Sequence, residues 1–419
     1  MALLDQGLIS ASNFVIAVLL ARQLSANDYG AYALAFEGLL FLSVLYGALV
    51  LEPMSVFGPS IYQDQLSEYL GTLLKIHIGA SIVATSGVLA LAGVLRWLHR
   101  GGNLPAALVG VGFAVPCLLL FWLARRAFYI KLSPGNAALG ALTYSAVLLT
   151  GLLVVTWRGG LSPLLAFLIM GLAAAITGVG MLVRLKPTRR LSAQTFSLKE
   201  VLKRHWAYGR WAVASSVAIW CSTALLYPLV GVFGGLAAVG GFKALMNLAS
   251  PVGQAFVAVS LLSLPHASQV FHEAGSAGSE RLRLRLSLLY AGGPALYWVL
   301  VCFLREPILR HLYAGKYLAM GGLVTWVALG STLRIAATAQ AIVLRSMQSP
   351  HVVFWAYLIG GMTTLLAGIP LTSIWGLRGA VMTLTISSGM ALAVAYMLAR
   401  HGFSPELAPK SSASSEIAA

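Results

Sequence analysis

Six ionisable side chains stand inside apolar runs, or at their ends: Glu37, Lys75, Arg125, Arg126, Lys243 and Arg334. A charge at the centre of a bilayer costs roughly 3 kcal/mol on insertion scales, so each is a functional candidate by default. Arg334 is the deepest cation, about 15 Å of helix from the basic residue Arg345. Such an arginine must find water, an anion or a carboxylate, and its planar fork suits a phosphate better than a lysine point charge does. Glu37 is the one carboxylate well inside a run. It suits either a proton-coupled step, because desolvation favours the neutral acid, or a salt bridge to a buried arginine such as Arg334. Arg125 and Arg126 point about 100° apart on a helix, so one can face a cavity while the other meets head groups, unless both are plain interfacial anchors. Lys75 and Lys243 lie near opposite ends of their runs, where each either guards a cavity mouth or snorkels to the interface. Asn13, Asn247 and Gln254 add amides in the membrane plane, for sugar hydroxyls or for helix–helix hydrogen bonds.

Signals for catalysis are weak. His266 and His272 have no carboxylate between them at metal spacing, and no segment is long enough for a separate catalytic domain. Cys117, Cys221 and Cys302 are scattered through apolar stretches and form neither a disulfide framework nor a metal site. The residues call for no cofactor and no metal, and they read as a transporter rather than an enzyme.

The elements that position these residues are set by composition. Of 419 residues 59% are hydrophobic and 10% charged, whereas a soluble domain carries about 25% charged. Bilayer is therefore the solvent. The excess of 28 Lys and Arg over 12 Asp and Glu would suggest nucleic acid in a soluble protein. Here the basic residues lie mostly between apolar runs, where membrane orientation explains them. With about 20 residues needed per crossing, the chain divides into twelve predicted spans: 7–21, 29–50, 69–95, 104–123, 135–157, 163–185, 206–233, 239–264, 286–304, 318–344, 352–369 and 375–398. The first reads as a retained helix rather than a signal peptide. An even number puts both termini on one side, and Lys and Arg favour that side as cytoplasmic by about two to one. The segment from Glu52 to Ser67, without a basic residue, runs against the bias.

A basic linker, 186–205, separates an N-terminal six-helix lobe, 1–185, from a C-terminal one, 206–400, and a polar Ser- and Ala-rich tail, 401–419, reads as disordered. The equal halves suggest an internal duplication. Ser25 to Tyr32 aligns without gaps on Gly235 to Phe242, and Ser133-Pro134 has its counterpart in Ser349-Pro350.

Several segments resemble a known family. They are Leu4-Asp5-Gln6-Gly7 with Ser12-Asn13-Phe14, Leu20 to Ser25 with Asp28 to Leu34, Leu51-Glu52-Pro53, Arg125 to Tyr129, and Tyr227 to Gly231 with Gly235 to Leu245. In order, over the whole chain, they are similar to the polysaccharide-biosynthesis, O-antigen-flippase-like branch of the MOP (multidrug/oligosaccharidyl-lipid/polysaccharide) exporter superfamily. The resemblance implies an all-α integral membrane protein of about twelve helices, in two six-helix lobes around a central cavity. It implies a multi-pass protein of the bacterial inner membrane that moves an undecaprenyl-pyrophosphate-linked oligosaccharide to the periplasmic leaflet, with proton or sodium coupling. The cavity cations would then meet the pyrophosphate. A drug or small-solute antiporter of the same superfamily is the alternative, although one in-span acid among several cations argues for an anionic substrate. A membrane-embedded glycan polymerase or ligase would need a long periplasmic loop, and the outer loops are short.

Overall fold

In hydrocarbon every backbone amide must be satisfied within its own segment, so apolar runs of this length become helices. The computed structural model describes residues 2–186, 197–347 and 350–401. Most of the predicted linker and the predicted disordered tail thus lie outside the described residues. The helices are α1 (Ala2–Gln23), α2 (Ala26–Tyr46), a π turn (Gly47–Leu51), α3 (Glu52–Ser60), α4 (Leu66–Trp97), α5 (Leu104–Ile130), α6 (Pro134–Trp157) and α7 (Pro163–Leu185) in the first half. The second half holds α8 (Leu198–Ala224), α9 (Leu226–Asn247), α10 (Ser250–Phe303), α11 (Arg305–Tyr313), α12 (Val324–Ser346), α13 (Pro350–Trp375) and α14 (Leu377–His401). Ten stretches of the described residues are long and apolar enough to cross a membrane. Two pairs of crossings run together as single helices and separate only at glycines. α9 turns at Gly235 (φ 77°) and α10 at Gly275 (φ 57°). Divided there, and with α1 and the π-linked α2–α3 each counted once, the described residues make twelve crossings. It is an all-α, multi-pass membrane protein.

Three predicted boundaries need correction. Residues 265–285, expected as a loop, are helical and bend only at Gly275, because a polar helix can run past the interface and lose nothing. The acidic segment after Val50 is not a loop either. α2 continues through the π turn into α3, with Pro53 placed in the first turn, where its missing N–H costs no bond. Finally, α11 is an added helix of nine residues. Its exposed polar face kept it below the hydropathy threshold for a span.

Both described ends lie on one face of the bundle, here the proximal face; the turns at Ser25, Gly102 and Gly235 lie on the distal face. Ser25 caps α2, its hydroxyl oxygen accepting from the Asp28 N–H at 3.1 Å. The halves meet first where α2 crosses α9. A Cβ on Gly240 would sit 2.5 Å from the Ala26 carbonyl oxygen, and one on Gly30 would run into the Leu236 carbonyl. Each imaginary Cβ lies 3.1 Å from the other glycine's nitrogen. These two glycines occupy equivalent positions in the aligned segments 25–32 and 235–242. The segments that align in the sequence thus also touch in the structure.

Candidate functional site

Below that crossing α9 carries Lys243 and α2 carries Glu37, both near mid-membrane. The Lys243 Nζ donates to Glu37 Oε1 at 3.0 Å, with the side chains 14% and 8% exposed. The ammonium also sits 5.2 Å from the ring centres of Phe36 and Tyr227, so aromatic faces supply the attraction that water would otherwise provide. Two sequence expectations change here. Glu37 does form an ion pair, but with Lys243 and not with Arg334. Lys243 does not snorkel, because a carboxylate and two rings meet it where it stands.

Lys243 also lines a cavity of about 390 Å³ built by α8, α9, α10, α12 and α13. Arg334 on α12 faces into the same space, with Asn247, Gln254, Thr338 and Tyr357. Among the described residues no ion pair involves Arg334. The site therefore has one cation matched by a carboxylate and one that is not, and its net charge is positive. α9 breaks at Leu248 and Ala249 before α10 begins. The carbonyls near the break are met from outside the helix: Tyr313 donates to Ala244 O at 2.9 Å and Tyr297 to Leu248 O at 2.7 Å. Asn247, Ser250 and Gln254 line the cavity around this break, with the Asn247 amide donating to the Tyr29 hydroxyl on α2 at 2.7 Å.

Of the remaining candidates, Lys75 is exposed on α4 and Asn13 is exposed on α1. Neither lines the cavity. Arg125 and Arg126 close α5 at the proximal face, outside the cavity, Arg125 lying 5.8 Å from the Tyr129 ring centre. These three cations sit close enough to the interface for their long stems to reach it. Sequence reasoning does not single out Tyr227, Ser250, Thr338 or Tyr357. A signal for Ser250 is present: Lys243, Asn247, Ser250 and Gln254 recur at spacings of four, three and four, a polar stripe on one helical face. The histidines 266 and 272 lie on α10, and among the described residues no three His, Cys, Asp or Glu side chains are grouped to hold a metal.

The halves are tied at both faces. Distally, Lys316 Nζ donates to the Arg22 and Leu24 carbonyls at 2.6 and 2.8 Å, capping the end of α1. Proximally, Tyr208 donates to Glu52 at 3.1 Å, and Ser10 to Gln254 at 3.0 Å. There His205 bonds the Leu49 carbonyl through Nδ1 at 3.0 Å. A carbonyl can only accept, so Nδ1 carries the proton and the neutral ring's Nε2 accepts from the Tyr69 hydroxyl at 2.7 Å.

This fold is shared with solved membrane transporters of low sequence identity. It is similar to an inward-facing multidrug resistance MATE family transporter of the MOP superfamily, with a TM-score of 0.80 and 11% identity over 96% of this chain and 98% of the other. It is similar also to the lipid II flippase MurJ in an inward closed conformation, at 0.74 and 11% over 95% and 88%. An outward-facing MATE family transporter gives 0.66 and 12% over 96% and 93%. No protein-family model matches the sequence, and no curated protein matches it.

Proposed function

We propose that this chain is a transporter that carries an undecaprenyl-pyrophosphate-linked oligosaccharide from the cytoplasmic to the periplasmic leaflet of the bacterial inner membrane, by alternating access. The observation that supports this best is Arg334, an arginine with no ion-pair partner among the described residues, facing a cavity that Lys243 shares. An anionic head group leaving water needs such a counter-charge, and the amides and hydroxyls beside it suit sugar hydroxyls. A cationic drug would meet a repelling site. In this reading the proximal face is cytoplasmic. The pyrophosphate enters while the distal face is shut by the Gly30–Gly240 crossing and Lys316, and it competes with Glu37 for Lys243. Loss of that pair loosens the α2–α9 contact, and the distal face opens as the proximal ties close.

One observation favours a second reading. At about 390 Å³ the cavity lies at the small end of ligand pockets, a size that suits a small organic anion as well as a pyrophosphate with its first sugar. The test is flipping of a labelled polyprenyl-pyrophosphoryl sugar in proteoliposomes, with complementation of a flippase-deleted strain. Wild type should flip and complement, Arg334→Lys should keep part of the activity, and Arg334→Ala should lose nearly all of it while lipid-linked intermediates build up on the inner leaflet. An alanine variant that inserts normally and flips at the wild-type rate overturns the reading. Uptake of a free sugar phosphate without lipid flipping would establish the second one.

A further inference from the structure

Next to the cavity lies a larger crevice, about 990 Å³, in the distal half of the molecule between α2, α4, α5, α8 and α9. We infer that it is a groove for a hydrocarbon chain, and that its occupant is the polyprenyl tail of the carrier whose head group sits at Arg334 and Lys243; this rests on the flippase reading above. Its walls are apolar, with Leu34, Phe41, Leu91, Leu104, Trp220 and Leu236 among them. Polar side chains are few: Asn27 and Asn103 stand at the distal rim, and Glu37 stands in the wall one turn above Phe41. Glu37 lies eleven residues into α2, about 16 Å below the rim at helical rise, which is half of a hydrocarbon core about 30 Å thick. The crevice therefore reaches at least the middle of the hydrocarbon core.

The mouth faces lipid. Leu91 and Val232 line it and are 50% and 75% exposed, and α4 is the span with the smallest buried share. An apolar crevice at that depth offers water too few partners to hold it, so a hydrocarbon chain fills it. What selects the substrate's own chain is continuity with the cavity. Glu37 forms part of the crevice wall and Lys243 part of the cavity wall, so the ion pair between them is a shared partition. An amphiphile with an anionic head and a long tail fits across it, the head on the cationic side and the tail on the apolar side.

Gly38 lines the crevice, and no atom lies within 4 Å of where its Cβ would be. Gly38→Phe therefore starts in open space and projects into the groove, and replacing a helix-interior glycine favours folding. The experiment measures binding of geranyl, farnesyl and undecaprenyl phosphate to the purified full chain in detergent by native mass spectrometry, with phosphatidylglycerol as competitor. In wild type the undecaprenyl ligand should bind at least tenfold tighter than the geranyl one, and in Gly38→Phe that advantage should fall to under threefold while geranyl phosphate binds as before. Arg334→Ala should weaken all three ligands alike. A full chain-length advantage in a folded Gly38→Phe variant overturns the groove and leaves the flippase reading standing. Displacement of undecaprenyl phosphate by equimolar phosphatidylglycerol overturns the occupant named here, since the groove would then hold ordinary bilayer lipid. Wild type that binds none of the three phosphates overturns the flippase reading, and the groove assignment with it.

Discussion

Removing one partner of the Lys243–Glu37 pair should cost far more than removing both. The pair crosses between the halves at 3.0 Å with both side chains nearly buried. Glu37→Gln leaves an ammonium inside the membrane with two aromatic faces and no counter-charge, and Lys243→Met leaves a carboxylate with none. Breaking a buried pair in this way costs roughly 3–5 kcal/mol, because the survivor stays desolvated and uncompensated. The rings beside Lys243 offset part of that cost for Glu37→Gln, since a cation over an aromatic face gains about 2 kcal/mol when desolvated. Glu37→Gln should therefore lie near the lower end of the range and Lys243→Met near the upper. The double variant Glu37→Gln/Lys243→Met removes both charges and should recover at least about 2 kcal/mol of the summed losses, within the span seen for residues in direct contact. The assay is reversible unfolding in mixed micelles of increasing denaturing detergent, run on the four proteins of the cycle. If the single losses simply add in the double variant, the two groups do not interact and the inter-half pair is not a structural contact in the membrane.

Two further outcomes follow from the geometry. Replacing Gly240 by Leu pushes a side chain into the Ala26 carbonyl and so prevents the distal crossing from closing; a cysteine at Asn27, in a background lacking Cys117, Cys221 and Cys302, should then react several-fold faster with a membrane-impermeant thiol reagent, and an unchanged rate would mean that the crossing is no seal. Reporter fusions after Lys199 and within the tail beyond His401 should both read cytoplasmic, as the charge bias requires; a periplasmic signal from either reverses the orientation.

The helices are legible in the sequence because the bilayer imposes one rule, a long apolar run between polar turns, and such runs stand out from composition alone. Their ends are less legible. The helix through 265–285 keeps its backbone bonds after its side chains turn polar, so hydropathy falls while the helix goes on. The candidate site residues split along a similar line. Arg334 and Glu37 can be singled out because a charge in an apolar run is conspicuous wherever it points. Their partners cannot, since pairing depends on the angle and register between α2 and α9. Lys243 follows Leu236, the first residue after the Gly235 turn, by seven residues. That is close enough to the end of its run to read as a snorkelling residue, and only the Gly30–Gly240 approach brings it within reach of Glu37.

The ties between the halves are of a kind that can exchange. Proximally they are single hydrogen bonds, Tyr208 to Glu52, Tyr69 to His205, His205 to the Leu49 carbonyl and Ser10 to Gln254. Each contributes about 1 kcal/mol net, since water offers the same groups a partner when the contact opens. The distal ties of Lys316 to two carbonyls are similar in kind. Neither face alone holds the halves together firmly, so closing one can offset opening the other. The contact at mid-membrane differs, because an opened Lys243–Glu37 pair has no water to turn to unless a cavity reaches it. Cavities do reach it, one from each side: the polar one touches Lys243 and the apolar crevice touches Glu37. An anion arriving beside Arg334 can replace Glu37 as the partner of Lys243, and the freed carboxylate then needs a proton or a cation to remain where it is. In the proposed transport cycle, anion binding and carboxylate neutralisation are coupled through one lysine, and a ligand that does both shifts the balance between the two closed faces by its differential affinity alone.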